Sequence, residues 1–145
     1  MDANATRVMC RKVIALLLPV VLAACGTDHT TTTVTSPSAE TTTEAFAGGL
    51  WQSGSVVHAF AVVATGTITV GLTSVAPLST MSLGVAIGTW DGATCTAMTT
   101  VTDARAGETA LKGAAAVGNY CVKIFDSGNV PSNTRVTYKA EVVHP

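Results

Sequence analysis

Charge is what this sequence has least of. Lys, Arg, Asp and Glu together make up 12% of the chain, about half the share usual in globular proteins. Thr, Val, Ala and Gly are abundant instead, a balance that favours neutral β-structure over charged surface helices. No basic stripe and no interleaving of aromatic with basic residues is present to neutralise phosphates, which argues against nucleic acid as a partner. Ser, His and Asp all occur, but no Gly-x-Ser-x-Gly elbow leads from a strand into a helix, so a hydrolase triad has no support and no catalytic residue is assigned. No His or Cys cluster has zinc spacing. No long segment keeps a helical period. With 145 residues the chain has room for one domain and one core.

The one long apolar run stands near the N-terminus. Arg7, Arg11 and Lys12 precede an apolar stretch over residues 13–24, the order of a secretory signal. A membrane-spanning helix needs about 20 apolar residues, and Pro19 interrupts a run that is already too short. Leu22-Ala23-Ala24-Cys25-Gly26 resembles the lipobox of bacterial lipoproteins. That resemblance implies a signal peptide over residues 1–24, acylation of the Cys25 thiol, cleavage before Cys25 and an exported protein held to the cell membrane or outer membrane by its lipid. The alternative is an ordinary secretory signal cut near Ala24, which leaves Cys25 a free thiol or a disulfide partner. Met9 is a second candidate start, and Cys10 is discarded with either. Residues 25–45 comprise the lipidated Cys and a Thr- and Ser-rich stretch without apolar period, expected to form a disordered tether, with His29 a solvated linker residue.

From Phe46 the pattern changes to short β-rich runs separated by Gly, Pro, Asp and Asn, which predicts an all-β domain over residues 46–145. Thr67-Ile68-Thr69-Val70-Gly71-Leu72-Thr73 alternates strictly, with Ile68, Val70 and Leu72 on one face. Leu83, Val85 and Ile87 share a face opposite Gly84, Ala86 and Gly88, and Val136, Tyr138, Ala140 and Val142 share one opposite Arg135, Thr137, Lys139 and Glu141. Further strands are expected over 43–51, 55–64, 95–101, 109–113 and 119–126. Residues 56–63 are apolar on both parities, which suits a central strand. Seven or eight strands of this kind predict a single antiparallel β-sandwich. Once the signal is removed and Cys25 lipidated, Cys95 and Cys121 remain as an even pair in an oxidising compartment, and a disulfide between them is expected.

The order Trp51-x-x-Gly54, His58-x-Phe60, the strand over 66–73, Gly118-Asn-Tyr-Cys-Val-Lys-Ile-Phe-Asp126 and a last strand ending Val143-His144-Pro145 is similar to the bacterial pre-peptidase C-terminal type of β-sandwich. The resemblance covers most of residues 46–145. It implies a jelly-roll-like fold and a module that accompanies secreted enzymes or stands alone, implicated in binding carbohydrate, protein or calcium. No peptidase is attached here, and a fold does not assign a function.

Three places merit a functional reading. Trp90-Asp91-Gly92 combines an aromatic, a carboxylate and a flexible Gly at a strand end, where parity puts Trp90 beside Gly84, Ala86 and Gly88 on a flat shelf that could receive a sugar ring; the plainer reading is a turn. Asp126-Ser-Gly-Asn129 could offer oxygens to calcium, though the same residues make a tight turn. His58 reads as a packed core or interface histidine rather than a ligand. Trp51 is expected to anchor the first strand in the core, and His144 to be exposed. The function expected is a non-catalytic envelope lipoprotein whose sandwich binds a glycan or an envelope protein. The alternatives are a purely structural lipoprotein and an accessory to a secreted hydrolase. Exposure of Trp90 and Tyr120 separates binding from structure, because a glycan platform needs an accessible aromatic face.

Overall fold

Alternation of apolar and polar residues becomes two sheets when each strand turns its apolar parity toward a shared interior, and the molecule does this eight times. The computed structural model describes residues 40–145; the predicted signal peptide, Cys25, His29 and most of the tether lie outside the described residues. The strands are β1 (Thr42–Leu50), β2 (Ser55–Val62), β3 (Gly66–Ala76), β4 (Leu83–Trp90), β5 (Cys95–Ala104), β6 (Glu108–Ala115), β7 (Gly118–Phe125) and β8 (Val136–His144). One sheet, sheet A, has the order β1-β8-β3-β6, and the other, sheet B, the order β2-β7-β4-β5. The antiparallel pairs β1–β8, β2–β7, β3–β6 and β4–β5 are nested, each enclosing the next along the chain. Such a set is one long hairpin rolled up so that successive pairs fall alternately in the two sheets, the jelly-roll arrangement.

The three clearest alternations pack as predicted. Ile68, Val70 and Leu72 are buried from β3, Leu83, Val85 and Ile87 from β4, and Val136, Tyr138, Ala140 and Val142 from β8. β5 is the edge of sheet B, and its register with β4 slips twice, between Leu83 and Val85 and between Ile87 and Gly88. Extra residues at these slips bend the strand and spoil it as a template for further pairing, a common protection for a sheet edge.

Several expectations need correction. β2 is an edge strand, not a central one: Phe60 and Val62 face the core, while its other parity is made of Val57, Ala59 and Ala61 on the open surface. Small apolar residues on a surface are common, so apolarity on both parities did not require burial on both. β1 runs where a strand was expected over 43–51, but it begins at Thr42, so its first residues take over the end of the segment also expected to be tether, and it pairs Thr42 with His144. Its apolar period was masked because the inward position ahead of Phe46 is Glu44, whose Oε1 lies 3.0 Å from His144 Nε2. His144 is accordingly buried, at 3% exposure, with its ring against Phe60. Trp51 is 55% exposed; Leu50 takes the core position at the end of β1, and Trp51 begins the turn that follows.

The strand directions sort the connections into two groups. Loops 63–65, 91–94 and 116–117 lie at the end where β1 begins, called here the proximal end. Loops 51–54, 77–82, 105–107 and 126–135 lie at the opposite, distal end. The longer connections are all distal.

Candidate functional site

Asp126 organises the distal end. It stands where β7 stops, and its Oδ1 accepts hydrogen bonds from the backbone N–H groups of Gly128, Asn129 and Val130 at 2.8, 2.9 and 3.0 Å. Its Oδ2 accepts from the N–H of Ser53 at 2.8 Å, and its own N–H donates to the Gly54 carbonyl at 2.9 Å. Desolvation pushes the carboxyl pKa upward, but the N–H groups of Ser53, Val130, Gly128 and Asn129 together outweigh it, and the net shift is downward. Asn129 extends the tie: its Nδ2 donates to the carbonyl and hydroxyl of Ser82 at 3.3 and 3.0 Å. Arg105 Nη1 donates to the Thr80 carbonyl at 3.0 Å. All four distal loops are thereby laced together. The two residues considered as calcium ligands hold loops in place, with both Asp126 oxygens engaged by backbone donors.

Trp51 is displayed at the rim of this laced end. Its turn is closed by the Gly54 N–H on the Trp51 carbonyl at 2.8 Å, with Ser53 in the left-handed region at φ 59°. Arg135 precedes Val136, the last partner of Leu50, so Trp51 and Arg135 occupy the next step beyond the final rung of the β1–β8 ladder. The Arg135 guanidinium lies against Gly49, where an added Cβ would sit 2.8 Å from its Nε. Among the described residues Arg135 has no ion-pair partner. Further along the outer face of sheet A, the slip in β3 register beside Gly71 opens a shallow cavity of about 340 Å³ lined by Thr73, Glu108 and Glu141. A second of about 270 Å³, bordered by Ala45, Ala47 and Lys139, shares Thr73 and Glu141 with it. The two form one groove across β6, β3, β8 and β1.

The predicted Trp90-Asp91 site is at the proximal end and is built differently. Trp90 does fall on the outer face of β4, and it is half-buried. The shelf beside it is already occupied. The Phe125 ring lies over Gly84, and β5 crosses Gly88 so closely that a Cβ there would run into the Thr96 carbonyl. The crossing serves the disulfide, since Cys95 on β5 and Cys121 on β7 lie on either side of β4 with Cα atoms 5.8 Å apart. Asp91 is spent on its turn, its Oδ1 accepting from the N–H groups of Thr94 and Ala93 at 2.6 and 2.8 Å. Those two bonds, Thr94 first, hold its carboxyl below the ordinary pKa. Tyr120 is buried, with its hydroxyl paired to the backbone of Ala116. Neither aromatic chosen to separate binding from structure offers an open face; Trp51 does.

His58 joins the two sheets. Its Nε2 is 2.8 Å from the Tyr138 hydroxyl, and its ring stacks on Phe46 with centroids 4.6 Å apart. Burial lowers the His58 pKa and pushes that of Tyr138 up to about 12, so at neutral pH the phenol donates and a neutral imidazole accepts. Gly48 makes the room: a Cβ there would lie 2.5 Å from the phenol oxygen. This is the packed interface histidine of the two sequence readings.

No protein-family model and no curated protein sequence matches this chain. Sequence reasoning placed Arg135 on the outward face of the last strand but missed Trp51 as a surface group beside it. The available signal was Trp51-Gln-Ser-Gly54, a turn sequence placed directly after a strand whose parity already had Leu50 inward.

Proposed function

We propose that the protein is an exported lipoprotein, anchored through lipid on Cys25, whose sandwich is a non-catalytic module that binds an envelope glycan or protein through its distal rim and the outer face of sheet A. The observation that carries this reading is an exposed Trp at the edge of loops fixed by the Asp126 and Asn129 ties. An accessible aromatic on a pre-ordered surface binds without first losing loop entropy. The chain also enters β1 at the proximal end, so a tether attached there leaves the distal rim unobstructed. The two carboxylates with lowered pKa, Asp126 and Asp91, are held ionised by backbone donors, the opposite of the raised value a general acid needs. The jelly-roll fold accords with the pre-peptidase C-terminal resemblance, and the ligand classes that resemblance implies enter here as part of the proposal.

The test is a titration of residues 40–145 with soluble cell-wall glycan fragments and with extracted envelope proteins, followed by tryptophan fluorescence. Trp51→Ala should abolish the binding that wild type shows, and Trp90→Ala should retain it. Binding that survives Trp51→Ala overturns the assignment of the surface. No saturable binding to either class leaves the structural lipoprotein as the better description. Cys25→Ala should release the protein from membranes or leave it unprocessed, and an unmodified Cys25 thiol in the mature protein would refute the anchor.

A further inference from the structure

We infer that the opening between the edge strands β5 and β6 is a binding site for a hydrocarbon group about the size of benzene. It is a side opening of the sandwich, separate from the distal rim. A cavity of about 180 Å³ enters there between the two sheets. Its inner wall is Ile68 from sheet A and Ile87 and Tyr120 from sheet B, all buried. Two local departures from regular sheet structure open its mouth. Gly113 pairs with Ile68 and so faces inward, yet a Cβ at that position meets no atom within 4 Å. Opposite it, β5 slips register between the partners of Ile87 and Gly88, and the residue left over is Met98, 56% exposed at the mouth. A pliable thioether at a rim adapts to apolar shapes better than a branched side chain does.

The lining selects the ligand. The Tyr120 hydroxyl is satisfied by the Ala116 N–H and carbonyl, both at 3.1 Å, and no buried side-chain polar atom among the described residues lacks a partner. Thr99, at the exposed rim, is the one other polar side chain in the lining. No charged side chain lines the opening, and its volume is close to the roughly 150 Å³ at which an enclosed apolar cavity accepts benzene. The site therefore takes an apolar ring or the end of an alkyl chain, and has no charged group to hold an ion.

Methyl NMR of residues 40–145 tests this, with benzene as the ring probe and 1-hexanol as the chain probe. Saturable shifts at the Ile68, Ile87 and Met98 methyls are expected with at least one probe, and the tighter of the two identifies ring or chain. Gly113→Val, which fills the opening, should weaken binding about tenfold or more. Met98→Lys, on the exposed rim where folding is not at stake, should weaken it several-fold. Absence of saturable shifts with both probes overturns the inference. So does undiminished binding in either folded variant.

Discussion

The two ends of the sandwich are both tied, but by different means and with different results. At the proximal end a covalent bond crosses over β4, a turn is closed by Asp91, and Trp90 is half-buried beside a surface already covered by β5. At the distal end no covalent link is used. One carboxylate and one amide gather three loops, Arg105 adds the fourth, and the aromatic of that end stays in solvent. Covalent bracing stiffens a structure at the expense of open surface, whereas hydrogen-bonded lacing orders loops and leaves their outer sides available. That contrast is the ground on which the binding surface is proposed at the end with weaker bonds.

The largest expected effect is on the proximal side. Replacing Cys95 and Cys121 together by Ala should lower stability by about 3 to 4 kcal/mol on the loop-entropy account, measured by urea unfolding, while ligand binding at the distal rim persists in the folded fraction. Loss of binding with the fold retained would break the separation of the two ends.

Next is Asp126→Ala, which strands the backbone donors of Ser53, Gly128, Asn129 and Val130 in a partly exposed site. A cost of about 1 to 2 kcal/mol is expected after allowance for solvent screening, together with faster amide exchange in loops 51–54 and 126–135. Asp91→Ala should cost less, since its turn is fully exposed and ties no second loop. The Asp126 contribution has a definite pH sense. Its folded pKa is below the ordinary value of about 3.9, so the stabilisation is complete above that value and is lost as pH falls through the lower, folded pKa. Asp126→Ala should flatten the acid limb of the stability profile.

The tryptophans sharpen the comparison further. Trp51→Ala should change stability by about 0.5 kcal/mol or less, as exposed substitutions do, and Trp90→Ala by more, because part of its ring is covered. Equal losses from thermal melts of the two variants would remove the distinction between a displayed and a braced aromatic.

The smallest effect lies between the ends, at His58. Its folded pKa is below the ordinary value of about 6.5, so the unfolded chain takes up the proton first and stability declines as pH falls below that value toward the folded pKa. Urea midpoints at pH 7 and pH 5 should differ less in His58→Phe than in wild type.

Much of the fold was legible because β3, β4 and β8 state their facing by strict alternation, and the remaining strands were marked by turn residues. The Cys95–Cys121 pairing was legible by elimination. What escaped shares one cause: a side chain's neighbours across the sheet decide its surroundings, and those neighbours are distant in sequence. Glu44 looked like tether because its partner His144 lies at the far end of the chain. Trp90 looked like a shelf residue because the crossing of β5 over Gly88 depends on where Cys121 sits. Asp126 read as a turn or a calcium ligand; that it also ties the Ser53 turn follows only from the pairing of β2 with β7.

The nesting of strand pairs also has a kinetic meaning. β4 and β5 are joined by a short connection, whereas β1 and β8 pair residues as far apart as Thr42 and His144. Closing the outermost pair first would impose the full loop entropy at once, while zipping from β4–β5 outward makes each closure short given the one before. Non-local topologies of this kind fold in milliseconds to seconds rather than microseconds. On that route β1 is the last strand to dock, and until it does, the inner faces of β8 and β2 stay open to solvent.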